Sequence, residues 1–341
     1  MKLPKQSIKS GLIAGLLMVS FATLWGCGSS GSTASESNAP STSTAPESGA
    51  KKFKIGVSIP AADHGWTAGV KYWAEEEMKK HPEVEFIFQT ADNPDKQIQS
   101  LEAMAVKKID ALVILATESS PLTPAAKKLK EEGVFIVNVD RGFTEPIADI
   151  FLAGDNKKFG QMSAEFIAKK LNNKGSILVL EGIPCTVNTD RVEAAKAVFA
   201  KTGIKILDSQ SGMWNQQKAF EVMQTMLVKH KQFDAVWAQD DDMALGVEKA
   251  LKEAGKTNVW ILGGAGMKDI VKRVMDKDPM YPANITYPPS MIADGIRAAV
   301  DTLTNTKPEE LKNWKSKSID IPIELVEPSN ANKFYFPDSI Y

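Results

Sequence analysis

Cysteine is nearly absent from this chain of 341 residues: Cys27 and Cys185 are the only two. No disulfide framework can hold the fold, so a body of this length has to rely on buried apolar area. Histidine is as scarce. His64, His81 and His230 stand in unrelated contexts, which leaves neither cysteine a paired base for thiol catalysis. An excess of one charge is missing too. Lys and Arg number 41 against 42 Asp and Glu, a net −1 with no basic block, so a nucleic-acid partner is not expected. Catalytic signatures are also lacking. No G-x-x-x-x-G-K-[ST] loop, no G-x-G-x-x-G after the first strand, no H-E-x-x-H, no cysteine cluster and no G-x-S-x-G elbow occurs. Neither a cofactor nor a metal is expected, and the chain reads as a non-enzyme.

Long hydrophobic runs are confined to one place. Lys2, Lys5 and Lys9 precede a mostly apolar run from Gly11 to Trp25, too short for a comfortable membrane span and ordered like a secretory signal. The run ends at Gly26-Cys27, which resembles the lipobox of bacterial lipoproteins. That resemblance implies a signal peptide at 1–26 and a diacylglyceryl group on Cys27, with ordinary signal-peptidase cleavage as the alternative. Residues 27–51 are mainly Ser, Thr, Gly, Ala, Pro and Glu and read as a flexible tether. An extracytoplasmic, lipid-anchored protein is expected, with Cys185 left as a small packing residue.

Beyond the tether, apolar β-branched runs alternate with helical patterns. Strands are expected at 53–59, 84–89, 111–115, 135–138, 150–153, 176–180, 204–209, 235–238, 259–262 and 283–286. Between them, helices are expected at 66–80, 95–107, 122–132, 159–171, 190–201, 216–229 and 243–254. Continuous apolar strands point to parallel sheets covered on both faces, so the fold class is α/β with two doubly wound three-layer units. Ligands of such sheets bind at the carboxyl ends of the strands. Those segments here are rich in Trp, Asp, Asn, Arg, Thr and Tyr, which suits a polar solute with flat apolar faces. Asp240-Asp241-Asp242 lacks the spaced ligands of a calcium loop, and Asp241 and Asp242 are read as capping a helix start.

Four segments in order carry a family resemblance: Asn138-Val139-Asp140-Arg141, Asp155-Asn156, Phe166 to Lys170, and Val236 to Gly246. From about Phe53 to Ile323 the chain resembles the ribose-type periplasmic sugar-binding proteins of ABC transporters. The resemblance implies a type I periplasmic binding protein: two lobes joined by a three-strand hinge. Lobe I would comprise 52–154 plus 288–322, and lobe II 155–287 plus 323–341. Repressors on the same fold core carry a helix-turn-helix where this chain has its leader.

Site roles follow from the same resemblance. Asp140 and Arg141 would hydrogen-bond sugar hydroxyls and ring oxygen, and Trp66 and Trp214 would sandwich the C–H faces, with core packing as the alternative for each Trp. His64, Asp240 and Tyr287 stand at polar ligand positions. In the stretch 184–191, Arg191 looks structural, leaving Asn188, Thr189 or Asp190 toward the cleft. The late turn Gly263-Gly264-Ala265-Gly266 places Ala265 where the family commonly has an aspartate, so ribose itself is not the expected solute.

The leading expectation is a monomeric solute receptor for a separate ABC permease and ATPase, taking a monosaccharide, polyol or similar polyhydroxy compound. Alternatives are a co-receptor for a chemoreceptor or sensor kinase, or a receptor for a non-sugar metabolite such as autoinducer-2. A lipid-anchored hydrolase would need two flanking carboxylates, for which Asp140 and Asp240 are the candidate pair.

Overall fold

The computed structural model describes residues 52–62, 65–306 and 316–341. The expectations for the leader, Cys27, the tether and His64 lie outside the described residues. The chain begins with β1 (Lys54–Pro60), α1 (Gly65–Met78), β2 (Glu85–Ala91), α2 (Pro94–Val106), β3 (Ala111–Ile114), α3 (Ser119–Glu131), β4 (Phe135–Val139) and β5 (Ile150–Gly154). These strands pair in parallel in the order β5-β4-β3-β1-β2. The three layers are visible along single strands. On β3, Val113 belongs to one apolar cluster with Val57 and Val137, while Leu112 and Ile114 belong to another with Leu101 and Leu122. That alternation is the period-two geometry of a strand buried on both faces.

After Gly154 the chain leaves this sheet. It continues through α4 (Asn156–Lys170), β6 (Lys174–Glu181), α5 (Thr186–Phe199), β7 (Gly203–Ser211), α6 (Gln216–Lys229), β8 (Ala235–Trp237), α7 (Asp241–Glu253) and β9 (Trp260–Leu262). Here the sheet order is β7-β6-β8-β9, again parallel. Leu178 and Leu180 of β6 face one cluster, and Ile177 and Val179 face the other. Next come α8 (Lys268–Met275) and β10 (Asn284–Ile285). The chain then returns with α9 (Met291–Asn305), which packs on α1, β3 and β4, and β11 (Lys317–Ile321), which joins the first sheet beside β5. A last passage leads to β12 (Leu325–Val326), antiparallel to β10. Among the described residues, no helix is long and apolar enough to cross a membrane.

Helix starts fall at the strand ends where the site lies. Asn93, Asp155, Asn215 and Asp240 each accept a backbone N–H three residues on, the ordinary side-chain cap. Two helices fall outside the alternation read from sequence. α8 has only eight residues, and α9 follows Pro288-Pro289 and carries a glycine. That glycine has a packing reason: a Cβ on Gly295 would lie 2.6 Å from Val139 Cγ2, so its absence lets α9 sit close on the sheet. α5 begins at Thr186, a full turn earlier than the expected Asp190.

Candidate functional site

Seven of the expected positions converge on one small cavity of about 30 Å³: Trp66, Asp140, Arg141, Trp214, Asp240, Ala265 and Tyr287. Its side chains stand close together and leave the space of about one water molecule between them. Asp140 closes β4 in the left-handed region, φ 65, with its N–H donating to Leu152 O at 2.7 Å. Its Oδ1 accepts from Tyr287 OH at 2.5 Å, and its Oδ2 stands 3.8 Å from Arg141 Nε. Burial pushes this carboxyl up, opposed by the Arg141 charge. Arg141 Nη1 donates to Ala116 O and Thr117 O at 3.1 and 3.0 Å, which fixes the fork. Its guanidinium lies 5.1 Å from the Trp214 ring centroid.

Trp214 reaches the cavity through two successive left-handed residues, Met213 at φ 59 and Trp214 at φ 51. Its ring lies on Gly182, where a Cβ would come within 2.1 Å of a ring carbon. Trp66, the second residue of α1, donates from Nε1 to Tyr287 O at 2.9 Å, with its ring 6.2 Å from the Tyr287 ring. Asp240 caps α7 through Oδ1, which accepts from Met243 N–H at 2.8 Å. Burial, with Asp242 adding repulsion, raises its carboxyl well above the ordinary range. Ala265 adopts φ 96, unusual for a residue with a Cβ, and is held by Ala265 N–H to Ile285 O at 2.7 Å.

Two lining residues were not expected there. Val187 and Arg191 sit one helical turn apart on α5 and face the cavity together. Starting α5 at Thr186 rotates Asn188 and Thr189 away from that face. Asn188 Oδ1 accepts from Gly182 N–H and Thr189 Oγ1 donates to Cys185 O, so both serve the loop and not the cavity. The expectation placed Asn188, Thr189 or Asp190 toward the cleft and read Arg191 as structural; here Asn188 and Thr189 bond the loop, Asp190 lines a neighbouring groove with Asp140 and Asn156, and Arg191 both lines the cavity and bonds its wall. The i,i+4 pair Val187–Arg191 was legible once the helix start was set correctly.

Arg191 links the hinge to the cavity. Its guanidinium stacks 3.8 Å from the Phe159 ring centroid and 4.6 Å from that of Tyr287. Nε donates to Asn156 Oδ1 and Nη1 to Gln239 O, both at 2.9 Å. Asn156 Nδ2 donates in turn to Tyr287 OH at 3.0 Å. The polar wall is thus held by its own hydrogen bonds, while two buried donors, Arg141 Nε and Trp214 Nε1, have no hydrogen-bond acceptor among the described residues. Both suit oxygen acceptors on a solute, and the two carboxylates suit hydroxyl donors.

The three aspartates divide their work differently from the sequence expectation. Asp240 is the cap of α7. Asp241 accepts from the N–H groups of Gly264, Gly266 and Met267 and from Asn284 Nδ2, and so holds the turn that carries Ala265. Asp242 accepts from Gly65 and Trp66 N–H. Among the described residues, no group of three or more His, Cys, Asp or Glu is placed to hold a metal. Cys185 is buried, its thiol is pushed up by that burial, and His81 and His230 pair with carboxylates elsewhere.

Two doubly wound units with a cavity at their strand ends have the architecture of a two-lobed binding protein. The chain belongs to the periplasmic binding protein family, whose domain matches residues 55–307. It is similar to the ribose import binding protein of Bacillus subtilis, 29% identical over 275 residues, which cover 81% of this chain and 87% of that one. The galactofuranose-binding protein of Escherichia coli is 27% identical over 280 residues, 78% of this chain and 87% of its own. Among solved structures, the fructose-binding periplasmic domain of a hybrid two-component system superposes with a TM-score of 0.74 at 25% identity, covering 82% of this chain and 92% of its own. These relatives are binding proteins.

Proposed function

We propose that this protein is the solute receptor of an ABC importer, closing two lobes around a compact polyhydroxy compound and catalysing no reaction. The observation that carries the reading is the cavity, where orphaned donors and buried carboxylates face apolar walls from Trp66, Val187 and Ala265. A sugar or polyol presents both hydroxyls and C–H faces, and relatives named for ribose, galactofuranose and xylitol point the same way. In this reading 52–154 plus 288–322 move as one lobe and 155–287 plus 323–341 as the other. Cys27 carries the lipid that keeps the monomer outside the cytoplasmic membrane, and a separate permease and ATPase receive the solute. A thermal-shift screen across pentoses, hexoses, polyols and amino sugars tests the function, because a solute that binds only the folded state raises its melting temperature. No stabilisation by any of them would sink it. The fructose-binding relative from a two-component system supports a second reading, presentation of the solute-bound lobes to a sensor kinase.

A further inference from the structure

Two helices on opposite sides of the cavity have their first amides capped from across the cleft. α1 has no acidic residue in its own first turn. Its Gly65 and Trp66 N–H groups donate to Asp242 Oδ1 and Oδ2, at 2.9 and 3.2 Å, although Asp242 belongs to α7 beside the other sheet. Tyr341 OH donates to the same Oδ2 at 3.4 Å. Glycine is what admits this approach, since a Cβ on Gly65 would lie 2.9 Å from Asp242 Oδ1 and 3.0 Å from the Tyr341 ring. α5 shows the reverse arrangement. Its cap residue Cys185 makes no side-chain cap bond, and Thr186 N–H donates to Ser119 Oγ at 3.3 Å, at the start of α3 beside the first sheet. Thr186 Oγ1 accepts in return from Gly142 N–H at 3.0 Å.

We propose that this reciprocal capping is a two-point latch, in which closing the lobes completes the N-termini of α1 and α5 and opening them uncaps both. The inference rests on the two-lobed receptor reading, but its test needs no solute. Aligned peptide dipoles leave partial positive charge and unpaired N–H groups at a helix start. A carboxylate or hydroxyl carried by the opposite lobe reaches them only when the lobes meet, so each contact favours the closed state alone. Asp242 and Ser119 are therefore positioning residues. Asp242 acts through Trp66, whose amide it holds and whose ring lines the cavity.

The test is hydrogen exchange of the full chain without added solute, read at Gly65, Trp66 and Thr186, alongside small-angle scattering. Asp242→Asn and Ser119→Ala are compared with the parent. The latch requires each variant to speed exchange by roughly three- to thirtyfold, the range for losing a helix cap. It requires this at the variant's own contact and also at the far one, with a larger radius of gyration. Purely local caps would speed Gly65 and Trp66 alone in Asp242→Asn, and Thr186 alone in Ser119→Ala. That pattern, or unprotected amides in the parent, overturns the proposal. If Asp242→Asn does not fold, Gly65→Ala wedges the same contact and gives the same comparison. A solute screen with no hit would sink the receptor reading and leave the exchange result standing.

Discussion

Replacing Ala265 by aspartate tests how the solute is selected. The Ala265 methyl faces a cavity that already holds Asp140 and Asp240. Residue 265 is only 7% exposed, and its backbone sits at φ 96. Aspartate tolerates positive φ better than alanine, so backbone strain is not the main cost. The cost is a third buried carboxylate beside two that burial already raises. An upward displacement of about three pKa units for the new group corresponds to about 4 kcal/mol at neutral pH. The sign follows from linkage. A carboxyl raised in the folded state adds no penalty below its unfolded value near 4; the penalty grows as pH rises from there to the folded value and is complete above it. Thermal melts should therefore coincide near pH 4 and separate by roughly 6–8 °C at pH 8, at about 2 °C per kcal/mol for a body this size. Calorimetry should show weaker binding of the best screening hit by Ala265→Asp and poor binding of ribose by the parent. Coincident melts at pH 8, or tight ribose binding by the parent, would refute the argument.

Three further outcomes are expected. Trp214→Ala should weaken the solute by about 2–4 kcal/mol in calorimetry without loss of cooperative unfolding, as for a buried aromatic anchor; unchanged affinity removes Trp214 from the site. Burial pushes Glu248 up, but hydrogen bonds from Arg273, Lys252 and Tyr281 outweigh it and hold the carboxyl down at about 2. Its contribution of about 3 kcal/mol is full above pH 4.5 and fades toward pH 2, so urea unfolding of Glu248→Gln should fall short of the parent at pH 7 and converge with it near pH 2. Cys27→Ser should lose fatty-acid labelling, and equal labelling of variant and parent would dismiss the lipid anchor.

The strand-end rule explains why much of the site could be read from sequence. Asp140, Trp214, Asp240 and Ala265 follow closely on β4, β7, β8 and β9, and parallel sheets direct such residues to one edge. Arg191 was missed because the local sequence suggested a helix start at Asp190. The extra turn of α5 is secured by Ser119, 67 residues away, which no local pattern encodes. α8 escaped because its eight residues leave little periodicity to recognise. The aspartate triplet was recognised as a helix start, but the partners of Asp241 and Asp242 lie in the turn at 264–267, on β10 and at the start of α1, and only folding brings those segments within reach.

That triplet joins features that would otherwise be independent. Asp240 caps α7 and lines the cavity, Asp241 gathers the amides of the turn bearing Ala265, and Asp242 reaches the first amides of α1. Successive residues in the first turn of a helix point about 100° apart, so adjacent carboxylates can serve three different neighbours. Solute contact, the shape of the turn opposite and the meeting of the lobes therefore depend on the placement of one helix end. A substitution that shifts α7 by even a fraction of a turn would disturb all three together. A change confined to one carboxylate should disturb one function first. Single substitutions within the triplet are consequently more informative than any that move the helix.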